Sequence, residues 1–361
     1  MKIAFIGQKG IPAKNGGVER YVESLASNLV NLNQTVFVYN RDDYLSEKIN
    51  EYKGAVIINK TYLPGKNFAN ISHTFLSVLD VLKRDVDVIH FQGIGPSLLC
   101  WLPKLLKPKI KVIGTLHSFD YGNEKWNGFA KMMLRLGERL MCRHADEVIV
   151  LTVFMRDYVR TTYNRNAIVI PNGADLYENI NDNILSTWNL KKNEYILSVC
   201  RVIKLKGLQY LIAAYKNLKT DKKLVITGDG EYLDEIKKLA ADDKNIIFTE
   251  NQVGENLDQL YANAYLFVQS SEMEGLSISL LEAMAHKTPC LVSDITANIE
   301  VIKDNGFTFK VNDIEDLKNR LEYLVNNKDS LSIKAEGAFK RVAEFYSWPK
   351  ITAEIFEVYK K

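Results

Sequence analysis

The sequence predicts two α/β domains in tandem, each a mostly parallel sheet doubly wound with helices on both faces. Three observations carry this prediction. Short β-branched runs alternate with helically spaced apolar stretches almost from end to end, which is the pattern of right-handed βαβ units. The runs read as strands buried on both faces, as parallel strands are. The alternation stops once, in a polar and turn-rich stretch near the middle, and then resumes. A chain of 361 residues accommodates two domains of about 150 residues each.

In the first series, residues 2–7, 35–39, 55–58, 86–91, 109–114, 147–151 and 167–170 read as strands. Between them apolar residues recur at helical spacing, most clearly over 18–32 and 129–140. Pro171-Asn172-Gly173-Ala174-Asp175 is turn chemistry, and 178–192 is polar and irregular, so the linker falls there. The second series has strands at 195–199, 223–227, 245–248, 265–268, 290–292 and 307–309, with a helix over 280–286. The tail from Tyr346-Ser347-Trp348-Pro349 reads as a last helix with proline in its first turn. The expected organisation is a first domain over 1–175, a second over 190–340, and a helix within 341–361 that packs back on the first. Ligands of such sheets bind in loops at the carboxyl edges of the strands, and two edges facing one another form a cleft.

Composition narrows the function. With 47 basic and 44 acidic residues the formal charge is +3, so no basic excess points to nucleic acid. Cys100, Cys142, Cys200 and Cys290 are far apart and lie in or beside apolar runs; they read as reduced, buried thiols, not as a disulfide or zinc set. No stretch approaches the roughly 18 apolar residues of a membrane span, and the N-terminal apolar run is too short for a secretory signal. The expectation is a cytoplasmic protein, with room for peripheral contact on the inner face of the membrane.

The strongest chemical signal is Glu274-Gly275-Leu276-Ser277-Ile278-Ser279-Leu280-Leu281-Glu282. It follows a buried strand and opens a helix. Backbone N–H groups of Leu276, Ser277 and Ile278 at a helix start make an anion site. Carboxylates at Glu274 and Glu282 on either side of it suit hydroxyl recognition, because ionised carboxylates only accept hydrogen bonds. The ordinary alternative is a capped helix with two unremarked acids. Arg201 and Lys206, in Val199-Cys200-Arg201-Val202-Ile203-Lys204-Leu205-Lys206-Gly207, weigh against it, since a guanidinium fork and a mobile ammonium suit a diphosphate. A cation at the start of a helix opposes the helix dipole and calls for an anion nearby; otherwise Lys206 is a solvated surface lysine.

Arg201-x4-Lys206-Gly207 followed by Glu274-x7-Glu282 resembles the family-4 retaining glycosyltransferases. The resemblance covers most of the chain and includes Gly16-Gly17-Val18-Glu19, Pro171-Asn172-Gly173-Ala174-Asp175, Gly228-Asp229-Gly230, Glu282-Ala283-Met284-Ala285 and Ser347-Trp348. It implies a GT-B fold, two Rossmann-like domains facing a central cleft, and sugar transfer from a UDP- or GDP-type donor to a carbohydrate or lipid-linked acceptor. Neither a cofactor nor a metal is implied. Arg201, Lys206 and the Gly275–Ile278 amides would hold the diphosphate, Glu274 the transferred sugar and Glu282 the ribose. Asn251 and Gln252 would lie at the base. Gly16 and Gly17 would let the first-domain loop approach the donor, the alternative being a plain helix-entry turn. His117, in Gly114-Thr115-Leu116-His117-Ser118, would lie near the reacting sugar, although a lone histidine after a strand is more often structural. Two departures from the family stand out: Ser277 replaces the second glycine of the common Glu-Gly-Phe-Gly, and Glu250 stands where glycine is frequent.

Asp85-Val86-Asp87 spells DxD, a metal motif of a different fold, but here it only opens a strand. Gly7-Gln8-Lys9-Gly10 is not a dinucleotide fingerprint. From Lys125 to Arg143, Phe129, Met132, Met133, Leu136 and Leu140 form an apolar stripe while Lys131, Arg135, Arg139 and Arg143 recur every four residues. This is either a core helix with a solvated face or a dock for anionic lipid. Two other functions stay open: a nucleotide-sugar epimerase, which would turn over without acceptor, and a non-catalytic nucleotide-sugar-binding subunit, indifferent to loss of Glu274.

Overall fold

The structure is a computed structural model of the chain and describes all residues except 15, 66–67, 120–126, 178–179 and 242. It divides into two compact units, Met1–Asn172 with Trp348–Lys361, and Gly173–Ser347.

The first unit begins with β1 (Lys2–Ile6), α1 (Gly17–Asn31), β2 (Thr35–Arg41), β3 (Glu51–Tyr52), β4 (Ala55–Lys60) and α2 (Phe68–Val81). It continues through β5 (Val88–Gln92), α3 (Trp101–Leu106), β6 (Lys111–Leu116), α4 (Gly128–His144), β7 (Glu147–Val150), α5 (Val153–Tyr163) and β8 (Ile168–Val169). The sheet order is β3-β4-β2-β1-β5-β6-β7-β8. Every pair is parallel except the short β3–β4 edge. β5 and β6 start about two residues later than expected. At β5, Asp85 is held by the Lys2 side chain and Asp87 accepts the Lys2 backbone N–H at 2.7 Å, which fixes both carboxylates of the DxD at the amino end of the sheet. At β6, a turn from Lys107 to Ile110 comes first.

The second unit contains β9 (Tyr195–Val199), α6 (Leu208–Lys216), β10 (Lys223–Thr227), α7 (Leu233–Ala240), β11 (Ile246–Phe248) and α8 (Glu255–Ala262). Then come β12 (Leu266–Gln269), α9 (Ile278–Ala285), β13 (Cys290–Ser293), α10 (Thr296–Ile302), β14 (Phe307–Phe309), α11 (Ile314–Asn326) and α12 (Asp329–Phe345). Its all-parallel sheet runs β11-β10-β9-β12-β13-β14. Written by position this is 3-2-1-4-5-6, the nucleotide-binding order, whose direction reverses between β9 and β12. Leu211, Ile212, Leu224, Ile226, Ile236, Leu317 and Leu321 fill the core on one side of that sheet.

Three boundaries differ from the sequence expectation. The second unit starts at Gly173, and the expected linker folds into it: Leu185 and Leu190 are buried, and Ile184 N–H donates to Gln259 of α8 at 2.9 Å. Two apolar anchors in a polar stretch were enough to pin it. The expected tail over 341–361 is split as well. α12 stays with the second unit, while α13 (Trp348–Lys360) joins the first. There the Tyr359 hydroxyl bonds His90 Nδ1 at 2.7 Å, Lys111 Nζ caps the Val358 carbonyl at 2.8 Å, and Trp348 packs edge-on to Tyr21.

α4 does not bury its apolar stripe. Its inward face is Ala130, Gly137, Glu138 and Met141, whereas Phe129, Met132 and Leu136 are 66, 56 and 40% exposed. The helix thus has a buried face and a solvated one, with three residues of the apolar stripe on the solvated side. Gly137 explains the geometry, since a Cβ there would lie 2.1 Å from the Ile94 carbonyl oxygen, so the small face must point inward. Lys125 lies outside the described residues. Among the described residues no helix is long and apolar enough to cross a membrane.

Candidate active site

Two loops meet at the switch point of the second sheet, one after β9 and one after β12. Arg201 leaves the end of β9 exposed to solvent. Its segment keeps pairing beyond the strand: Cys200 N–H donates to Thr227 O and Val202 N–H to Asp229 O. Gly228-Asp229-Gly230 is glycine-rich for this reason. A Cβ on Gly228, where φ is +135°, would sit 1.9 Å from the Cys200 carbonyl oxygen, and one on Gly230 would sit 2.2 Å from that of Val202.

Lys206 lies in a 3-10 turn (Lys204–Lys206) ahead of α6, not in its first helical turn. The anion that sequence reasoning asked for is Glu274, whose Oε1 accepts from Lys206 Nζ at 2.5 Å and from Ser271 Oγ at 2.7 Å. Both side chains of the ion pair are at least four-fifths buried. Gly207 closes the turn at φ +65°, where a Cβ would strike the Ser270 carbonyl, and Ser270 Oγ donates to Lys206 O at 2.9 Å. The two loops are thus bolted together through residues 68 apart.

Ser277 caps α9, accepting from Leu280 N–H at 3.2 Å. Its φ of −75° is ordinary for any residue, so the glycine it replaces is not required by the backbone. Beneath the cap lies a buried polar chain. Ser277 Oγ donates to Gln269 Oε1, and Gln269 Nε2 to Asn298 Oδ1. Asn298 Nδ2 donates to Ser293 O and Oγ, and Ser293 Oγ to Ser271 O. Networks satisfied along their length rigidify a site. Sequence reading missed Gln269, Ser293 and Asn298, because each is a plain polar residue at a strand end or helix start and only the fold brings them together. Gly275 and Leu276 are buried in the same loop.

Glu282 is nearly buried, in the second turn of α9, and its Oε2 accepts from the Tyr261 hydroxyl at 3.1 Å. Gln252 folds back, its Nε2 donating to Thr249 O at 2.6 Å, while Asn251 beside it is exposed. Glu250 holds φ +57° and accepts from Gly228 N–H. This left-handed turn suits the glycine that is frequent there.

In the first unit, Gly16 is the N-cap of α1 at φ +95°, and a Cβ there would meet Glu19 Oε2 at 2.3 Å. Gly17 is the first helical residue. Helix entry alone accounts for glycine at position 16. The loop before it is tied to α1, with Glu19 accepting from Lys9 N–H and Glu23 from Ala13 N–H. His117 follows β6, buried against Tyr21, and its Nε2 bonds Gln92 Oε1 at 2.8 Å. Burial holds its pKa down at about 3, so the ring is neutral, and with Nε2–H donating to the amide oxygen Nδ1 is an acceptor. The cysteines are reduced; burial pushes the Cys100 and Cys142 thiols up to about 12, which makes them inert.

Comparison with solved structures fixes the fold. Sucrose-phosphate synthase from Thermosynechococcus elongatus superposes with a TM-score of 0.86 at 20% identity, covering 99% of this chain and 98% of that one. HepE of Anabaena in complex with UDP-glucose gives 0.81 at 19% identity, covering 99% of both. The fold is GT-B. Residues 181–341 match the family described as Glycosyl transferases group 1, and residues 15–178 match Glycosyltransferase Family 4. Together they take in most of the chain, which belongs to this family of glycosyltransferases. A relative at full length is an uncharacterised glycosyltransferase of Methanocaldococcus jannaschii, 27% identical over 100% of this chain and 98% of that protein. Another is the UDP-Gal:alpha-D-GlcNAc-diphosphoundecaprenol alpha-1,3-galactosyltransferase of Escherichia coli, 26% identical over 79% of this chain and 78% of that protein.

Proposed function

We propose that this glycosyltransferase moves a sugar from a UDP- or GDP-type donor, with retention of configuration and without a metal, to a carbohydrate or lipid-linked acceptor. The observation that carries the reading is the Lys206–Glu274 pair beside the capped start of α9 at the β9–β12 switch point. A diphosphate entering there exchanges the Glu274 carboxylate for its own oxygens around Lys206, and meets the Gly275–Ile278 amides and Arg201. Glu274 is released toward the sugar hydroxyls and Glu282 takes the ribose. As the bond between the anomeric carbon and the diphosphate oxygen breaks, negative charge grows on the leaving group, and fixed cations and amides stabilise it without reorganising. Gly16, Gly17 and His117 belong to the same proposal, and Asn251 with Gln252 form its base side. The names of HepE's ligand and of the Escherichia coli relative support a uridine donor and a lipid-diphosphate acceptor.

A thermal-shift series with nucleoside diphosphates, with and without EDTA, tests the donor site. At a hundredfold excess over Kd the bound form gains about 2.7 kcal/mol, or roughly 5–10 °C for a unit of this size. The shift is expected to select one base, to survive EDTA and to vanish in Arg201→Ala. No shift with any nucleotide would remove the donor reading.

A lipid-linked acceptor gives the outward stripe of α4 a purpose. We propose that Phe129, Met132 and Leu136, flanked by Arg135, Arg139 and Arg143, seat on an anionic bilayer: the apolar groups enter the interface and the guanidinium groups meet headgroups. Each arginine reversed to glutamate should weaken vesicle binding by at least about 1 kcal/mol. Cosedimentation that is unchanged in the triple reversal, or equal on neutral and anionic vesicles, would sink this part.

A further inference from the structure

The buried polar chain behind the α9 cap has a direction, and Asn298 sets it. Asn298 lies in the first turn of α10 and is 1% exposed. Its Nδ2 is 3.1 Å from both the carbonyl oxygen and the Oγ of Ser293, and its Oδ1 is 2.8 Å from Gln269 Nε2. A carbonyl only accepts, so the amide nitrogen must face Ser293 and the amide oxygen must face Gln269. Every other hydrogen then follows. Gln269 Nε2 donates to Asn298, which turns Gln269 Oε1 toward Ser277 Oγ at 2.6 Å. The Ser277 hydroxyl gives its hydrogen to that oxygen and keeps a lone pair for the Leu280 N–H. On the other side, the Ser293 hydroxyl accepts from Asn298 and gives its hydrogen to the Ser271 carbonyl at 2.5 Å. Ser271 Oγ ends this arm at Glu274 Oε1, 2.7 Å away.

The two arms end on different parts of the site. One reaches the cap that fixes the first turn of α9, and the other reaches the carboxylate paired with Lys206. Gln269, Asn298, Ser293 and Ser271 are each at most 4% exposed. Bulk water therefore does not replace a bond lost from the chain, and the orphaned group stays unsatisfied. Ser277, with its hydroxyl hydrogen committed to Gln269, serves the turn through backbone amides, as the glycine it replaces would.

We propose that Asn298 is a positioning residue for the donor site, orienting the α9 cap through Gln269 and the loop of Glu274 through Ser293. The proposal rests on the donor reading above, in which the first arm serves the diphosphate and the second the transferred sugar.

The test measures Kd calorimetrically for UDP and UDP-glucose, or for GDP and GDP-glucose if the guanosine pair is the one that binds, on the full chain and its variants. Gln269→Leu cuts the first arm. It should weaken both ligands about tenfold, the scale of one orphaned buried hydrogen bond, and leave their ratio unchanged. Ser293→Ala cuts the second arm but leaves Asn298 its bond to the Ser293 carbonyl. The diphosphate alone should then bind as in the wild type, while the sugar-bearing ligand loses about tenfold. Asn298→Leu, or Asn298→Ala if the leucine variant does not fold, should show both losses. A merely structural network would lower the melting temperature of every variant and leave the Kd values of the folded protein in place. That outcome, an equal loss for both ligands in Ser293→Ala, or an Asn298 variant that loses one effect or neither, overturns the proposal. Hydrogen exchange gives a readout without ligand: the Leu280 amide should exchange about tenfold faster in Gln269→Leu and in the Asn298 variant, and as in the wild type in Ser293→Ala. Unchanged Leu280 protection in the Asn298 variant overturns the proposal as well. If the wild type binds neither pair, the donor reading beneath it fails, and faster Leu280 exchange tells that failure apart by showing the chain at work.

Discussion

Replacing Lys206 by alanine will lower turnover by about 10²–10³-fold, the cost of about 3–4 kcal/mol seen when one preorganised donor to a developing negative charge is lost. The expectation follows from where Lys206 sits. Its ammonium is four-fifths buried beside Glu274, at the point where the strand order reverses, and an electrostatic contact in a partly dry site outweighs one in water. A purely structural ion pair predicts something different. It would cost stability when broken while leaving turnover per folded molecule unchanged. Steady-state rates and the melting temperature of the same preparation separate the two. Glu274→Gln makes a cycle with Lys206→Ala: because the two side chains touch, their effects should be non-additive by about 0.5–3 kcal/mol. Additive losses would mean that each acts alone.

Gly228→Ala is the second large effect, and it will be on folding. The new Cβ would lie 1.9 Å from the Cys200 carbonyl oxygen at a backbone φ of +135°, so either the strand-end pairing of Cys200 and Thr227 breaks or the loop carrying Arg201 moves. Strain and overpacking together come to about 3 kcal/mol or more, a large share of a stability of about 5–15 kcal/mol. Calorimetry should show the transition of the second unit lowered by about 10 °C. Gly128→Ala is the control, since a Cβ there meets nothing within 4 Å. A melt of Gly228→Ala that overlays the wild type would show that the close approach relaxes at little cost. Any survivor should bind the donor diphosphate weakly, because Arg201 rides on the same backbone.

These two residues show different degrees of legibility. Lys206 and Glu274 were visible as residue types at a spacing, because a diphosphate site needs cations and a helix start, and those leave marks in the chain. Their contact was not, since it joins positions 68 apart through the pairing of β9 with β12. Gly228 was visible only as part of a motif; the clash that demands it is with a neighbouring loop. Glu250 looked like a departure until its left-handed φ showed that the same turn is made with a different residue.

The sequence by itself determined the two series of strands and helices, since period and β-branching are local properties that tertiary packing here reinforces. It also placed the capped turn before α9, because helix starts, caps and glycines act within a few residues. Tertiary structure alone decided the rest. It assigned α13 to the first unit through the Tyr359–His90 bond, and folded the expected linker against α8 through Leu185 and Leu190. It turned the apolar stripe of α4 outward because Gly137 must face the Ile94 carbonyl. It also gathered Gln269, Asn298 and Ser293 behind the site. Each of these depends on which distant backbone lies within hydrogen-bond or van der Waals reach, and side-chain spacing along a chain carries no record of that.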